Sequence, residues 1–120
     1  LKYTGGALKA YFADNQALTV LNIGSGSNPI KGAVNIDIEG GKGVDLIADA
    51  TKALPYADNS INAIIARNPY KYDPVNEFTT AVLKSGGNFI ITGTYSNPCF
   101  KELYNATLDQ LKILGYELLL

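Results

Sequence analysis

Thr19-Val20-Leu21-Asn22-Ile23-Gly24-Ser25-Gly26-Ser27-Asn28-Pro29 carries the clearest structural signal in the chain. A short, β-branched and apolar run feeds directly into a turn of glycine, serine, asparagine and proline, the pattern of a buried parallel strand that delivers the chain to a ligand loop. In open parallel sheets ligands sit beyond the carboxyl ends of the strands, and glycines at the first such end let the backbone approach a ligand closely. Gly24 and Gly26 stand at that point. The loop is not a full dinucleotide fingerprint, because Pro29 takes the place of the third glycine. Nor does the chain carry a P-loop: Gly43 is followed by Val44, without the terminal Gly-Lys-Ser/Thr.

Outward from this loop the elements alternate. Apolar side chains at Tyr3, Ala7, Leu8, Tyr11 and Phe12 predict an amphipathic helix over 2–16. The first strand, 19–23, is followed by a second over 33–38 and a short third over 44–48, with glycines 40, 41 and 43 between them. Residues 49–60 hold too many breakers for a long helix and read as a loop with at most one helical turn. A fourth strand spans 61–66. Val75, Phe78, Thr79 and Val82 give one apolar face to a helix over 73–83, which Gly86-Gly87 are expected to end. A fifth strand at 88–92, a helix at 100–114 and a sixth strand at 116–120 complete the reading. No repeat, linker or low-complexity segment interrupts it, so residues 1–120 are expected to form one α/β domain.

Composition narrows the chemistry. The 120 residues contain no His, one Cys, and 10 basic against 11 acidic side chains. No imidazole can serve as a general base or metal ligand, and one thiol makes neither an internal disulfide nor a thiolate zinc cage; no metal site is expected. The near-neutral charge does not imply a nucleic-acid partner. The longest apolar runs are far short of the roughly 20 residues of a membrane helix, so a soluble protein with no membrane partner is expected. No signal peptide is visible, which points to the cytoplasm. The start at Leu1 rather than Met suggests a segment excised from a longer chain.

The order of features after the glycine loop carries a family resemblance. Val20-Leu21-Asn22-Ile23-Gly24-Ser25-Gly26, Val34-Asn35-Ile36-Asp37, Ala48-Asp49-Ala50 with Leu54-Pro55-Tyr56-Ala57-Asp58, and Leu83-Lys84-Ser85-Gly86-Gly87 together resemble successive motifs of class I S-adenosylmethionine-dependent methyltransferases. The resemblance spans about 19–92 and implies a Rossmann-like three-layer sandwich with a mostly parallel sheet of about six strands, truncated relative to the seven-stranded fold of the family. Only residues 24–33 separate the first two strands, at the lower edge of the 10–12 residues of a whole parallel crossover. The first crossover helix is therefore expected to be one turn or absent, a shortening shared by family members with a "Leu-Asn-x-Gly-Ser-Gly … Val-Asn-x-Asp" pattern.

By the same resemblance, S-adenosylmethionine would be the cofactor. Gly24, Ser25 and Gly26 would line its methionine and ribose part, Asp37 would accept from the ribose hydroxyls with Ile38 beside it, and Asp49 with Ala50 would meet the adenine. The same residues also have ordinary uses: acids cap loops, and glycines turn the chain. After the fourth strand, Asn68-Pro69-Tyr70 resembles a shortened Asn-Pro-Pro-Tyr motif of amino-group methyltransferases, which would make these three the catalytic residues and favour an amino acceptor. A turn that starts the next helix is the plainer reading of Asn-Pro. Arg67, Lys71, Tyr70 and Tyr72 form a basic and aromatic cluster that suits a phosphate or a stacked base, or an ordinary solvated loop. Tyr95-Ser96-Asn97-Pro98 is the second substrate-side loop, and Cys99 beside it reads as a small buried side chain. Methyl transfer to an unidentified acceptor is thus the first functional expectation. A methyltransferase-like binding module without transfer is the second. An effector or toxin module of a larger secreted protein, with a neutralising protein partner, is the third.

Overall fold

A computed structural model of the chain describes residues 19–94, 96–98 and 115–116. The helices expected over 2–16 and 100–114, Tyr95, Cys99 and nearly all of the sixth strand lie outside these residues. The rest form an α/β unit on one parallel sheet: β1 (Val20–Ile23), β2 (Val34–Asp37), β3 (Leu46–Ile47), β4 (Ile61–Arg67), a short helix α1 (Glu77–Val82) and β5 (Leu83–Thr92). The order across the sheet is β3-β2-β1-β4-β5, with every neighbouring pair parallel. This is the Rossmann-like arrangement expected from the sequence, with five of the about six expected strands among the described residues. The chain winds outward from β1 to β3 in one direction and restarts on the other side of β1 with β4, so the switch point lies between β1 and β4.

Both faces of the central strands are buried, which is why they read as continuous apolar runs rather than alternating ones. One face gathers Leu21, Ile23, Ile36, Ile64, Phe89 and Ile91 with Val75 and Val82 from the α1 region. On the other, Val20, Ala63, Ile65 and Ile90 pack with Ile30 and Ala33 from the β1–β2 connection. Tyr116 closes the first face by an edge-on contact with Phe89 and a 2.8 Å hydrogen bond between its hydroxyl and Thr80 Oγ1. Among the described residues, no helix is long and apolar enough to cross a membrane.

The β1–β2 connection contains no helix. Its backbone groups lie against a sheet face and need partners that a helix would have supplied internally. Two strand amides fill this need. Asn22 and Asn35 are register partners on neighbouring strands, and Asn22 Nδ2 donates to Asn35 Oδ1 at 2.9 Å. Asn35 Oδ1 also accepts from Ile30 N at 2.8 Å, while its Nδ2 faces Ile30 O, Ala33 O and Asp45 Oδ2. Asp45 Oδ2 takes the Asn35 backbone N–H as well, at 2.8 Å. Arg67, at the end of β4, donates to Asn28 O and pins the loop from the opposite side.

The largest departure from expectation is the helix over 73–83, which is shorter at both ends. Asp73 Oδ1 accepts from Val75 N to make a turn, and helical geometry begins only after Asn76. The Asn76 side chain caps Phe78 N and Thr79 N at 2.9 and 3.1 Å, and Thr79 Oγ1 accepts from Asn76 N, a capping box in which Thr replaces the usual Glu. At the far end, buried Leu83 is extended and pairs with Ile61, so the strand takes over before the glycines are reached. Gly86-Gly87 sit inside β5, where the register jumps between the Ile61–Leu83 and Ala63–Asn88 pairs. A Cβ on Gly87 would stand 2.8 Å from Asn62 O and 2.9 Å from Lys84 O, so the strand crosses its neighbour too closely for any side chain.

Candidate functional site

The carboxyl ends of β1 to β4 enclose a cavity of about 350 Å3 at the switch point. Its wall brings together most of the residues expected to act: Gly24, Asp37, Ile38, Asp49 and Ala50 from the cofactor set, and Asn68, Pro69 and Tyr70 from the substrate set, joined by Ile36, Ala48, Lys71 and Tyr72. Ser25 and Gly26 are not on this wall. Ser25 is buried under the loop, with its N–H on Ile36 O at 3.0 Å and its Oγ without a hydrogen-bond partner. Gly26 opens instead on a second concavity, of about 540 Å3, that shares Asp37 and is otherwise lined by Ser27, Pro29, Glu39, Gly40, Gly41, Lys42 and Val44.

Asp37 ends β2 and therefore points out of the sheet edge between the two concavities. Its Oδ2 accepts from Gly26 N at 2.8 Å and its Oδ1 from Glu39 N at 3.1 Å. Each oxygen retains a lone pair, so the carboxylate fixes the glycine loop and still has acceptor capacity facing outward. Asp49, just past β3, uses one oxygen locally: Oδ1 accepts from Thr51 Oγ1 at 2.6 Å and Thr51 N at 2.9 Å. The side-chain bond from Thr51 and then its backbone N–H hold the Asp49 carboxyl below its ordinary value against a smaller desolvation effect, with the charge of Lys52 the least of the causes. Ala50 is fixed from behind by Asn76 Nδ2 on its carbonyl at 2.9 Å, so the helix cap also sets the floor of the cavity.

Gly24 has φ +64°, and a Cβ there would meet the Tyr72 hydroxyl at 2.6 Å. The glycine is thus required twice, by the left-handed backbone and by the tyrosine laid against it. Tyr72 belongs to a 68–72 segment in which Asn68 and Lys71 both adopt positive φ, at 51° and 62°. Non-glycine residues in that region are uncommon, and their clustering on a cavity wall is a mark of functional loops. Asn68 is held by its N–H on Thr92 O at 2.5 Å and by its Oδ1, which accepts from Asn97 Nδ2 at 2.9 Å and Thr94 N at 3.4 Å. Pro69 O accepts from the same Asn97 nitrogen at 2.6 Å. Tyr70 is 64% exposed, with the Lys71 ammonium 5.3 Å from its ring centre. Of the basic and aromatic cluster, Arg67 is turned to the β1–β2 loop rather than outward.

Sequence reasoning named Asn22, Asn35 and Asn97 without giving them work. The signal for the first two is present, since a carboxamide inside an otherwise apolar strand must find a buried partner. For Asn97 no local signal exists, because its partners lie 28 and 29 residues away. No protein-family model, curated protein or solved structure matches this chain.

Proposed function

We propose that this chain binds S-adenosylmethionine and transfers its methyl group to an acceptor. The observation that carries the reading is the cavity at the switch point, on whose wall Gly24, Asp37, Ile38, Asp49 and Ala50 meet Asn68, Pro69 and Tyr70. Its volume lies within the roughly 300–1,000 Å3 of small-molecule sites. The residues present suit the parts of the cofactor. Asp37 has an acceptor position left on each oxygen, which fits two adjacent ribose hydroxyls. Asp49 Oδ2, not used by Thr51, can take an amino N–H. Ile38 is a 64% exposed isoleucine on a cavity wall, apolar surface suited to the face of a purine. When bound, the sulfonium supplies the electrophilic methyl group. The protein's part is to hold donor and acceptor in line, which requires no imidazole.

Calorimetric titration with S-adenosylmethionine and with its demethylated product tests the reading, repeated on Asp37→Ala. Hydrogen bonds to a charged group contribute about 1.5–3 kcal/mol each, so the variant should bind at least tenfold more weakly. Circular dichroism checks that it stays folded, since Gly26 N and Glu39 N lose their acceptor. No heat for either ligand with folded wild-type protein ends the reading. Binding without transfer to amines, carboxylates, RNA or DNA leaves the binding module in its place.

A further inference from the structure

Asn97 Nδ2 is held by two oxygens at once, Asn68 Oδ1 at 2.9 Å and Pro69 O at 2.6 Å. A primary amide nitrogen has two hydrogens, and two convergent acceptors on one nitrogen take both. Asn68 and Pro69 therefore form a receptor for an NH2 group at the edge of the cavity, and the chain's own Asn97, 7% exposed, occupies it. Thr94 N also points at Asn68 Oδ1, at 3.4 Å. With that oxygen committed to the 94–97 loop, the amide of exposed Asn68 has its Nδ2 donor left to offer a ligand. We propose that Asn97 is a specificity-determining residue: it fills the amino receptor, so that the methyl acceptor is an anionic oxygen, a carboxylate or phenolate, recognised by Asn68 Nδ2. The inference rests on the reading that the adjoining cavity holds the methyl donor, and it replaces the amino acceptor expected from Asn68-Pro69-Tyr70.

The chemistry balances without a base. An oxygen lone pair forms the new O–CH3 bond while the S–CH3 pair leaves with sulfur as a neutral thioether, and an anionic oxygen has no proton to lose. That agrees with a chain that has no histidine.

The test uses the full chain saturated with S-adenosylhomocysteine and matched aromatic probes, followed through the side-chain amide signals of Asn68 and Asn97 in 1H–15N spectra. Benzoate should shift the Asn68 NH2 signal and leave that of Asn97 in place, while benzamide and aniline should move neither. In Asn97→Ala the receptor opens, and benzamide should bind at least tenfold more tightly than to wild type. Asn97→Ser, which keeps one donor and so part of the link between the loops, replaces the alanine variant if that one unfolds and should give an intermediate gain. Benzamide binding to wild type with displacement of the Asn97 signal overturns the proposal. So does a folded variant that gains nothing, or a benzoate titration that leaves Asn68 unmoved. If S-adenosylhomocysteine does not bind, the donor-site reading fails by itself, and the benzamide gain in the variant still decides whether the receptor exists.

Discussion

Two loops leave the same edge of the sheet and solve opposite problems. The β1–β2 connection, 24–33, turns its polar groups inward, where Asn22, Asn35, Asp45 and Arg67 satisfy them and the chain needs no helix. The segment after β4, 68–72, holds two non-glycine residues at positive φ and leaves Asn68 and Tyr70 exposed on the cavity wall. The first uses amides to replace secondary structure. The second uses backbone strain to present side chains. Substitutions in the first should therefore register mainly as stability, and substitutions in the second mainly as ligand selection.

The strongest test of that contrast is Asn35→Ala. It leaves Asn22 Nδ2, Ile30 N and the Asp45 carboxylate without their shared partner in a half-buried network, and an unsatisfied buried polar group costs about 1–3 kcal/mol. A loss of roughly 3 kcal/mol, read from the urea midpoint, is expected. Asn68→Ala should cost less, about 1 kcal/mol for alanine at φ +51° because the residue is exposed and Asn97 keeps Pro69 O, and should instead alter the response to acceptor probes. If the two losses are equal, the division of labour between the loops is wrong.

Next in size is the contact that joins the loops. Gly24→Ala adds a Cβ at φ +64° that runs into the Tyr72 hydroxyl. The backbone term is about 1 kcal/mol, and displacing the tyrosine tip raises the total to about 2 kcal/mol. In a Tyr72→Phe background the hydroxyl is gone and the next ring atom is 3.5 Å away, so only the backbone term should remain. A double-mutant cycle in urea measures this coupling, and a coupling near zero would show that Tyr72 swings away freely.

What could be read from the sequence follows from how local each cause is. The parallel strands were legible because burial on both faces writes itself as apolar runs such as residues 63–66 of β4. The missing crossover helix was legible from chain length alone. The end of α1 was not, because Gly86-Gly87 look the same whether they stop a helix or let β5 pass close to Asn62. The cavity wall was largely legible, since Asp37, Asp49 and Asn68 each follow directly on a strand and parallel strands all end at one edge. Ser25 and Gly26 lie off that wall, Ser25 buried beneath the loop and Gly26 on the neighbouring concavity, because successive residues of a tight turn face different ways. Asn97 could not be assigned a role, because nothing local says that a loop amide will reach back to fill Asn68 and Pro69.

The smallest effect lies at Asp49, which belongs to neither loop and tests whether that acid is set by its own turn. Its carboxyl titrates below the ordinary range chiefly because Thr51 donates twice to Oδ1. A folded-state value below the unfolded one means that the stabilisation is present above the unfolded value and is lost as pH falls through the folded one. Thr51→Val removes the hydroxyl donor and keeps the backbone N–H, so the Asp49 midpoint, followed by carboxyl 13C shifts, should rise toward the ordinary range without reaching it. Because the group is open to solvent, the acid unfolding midpoint should barely move. A midpoint that stays where it is in the variant would mean that the Thr51 hydroxyl is not what holds the carboxyl down.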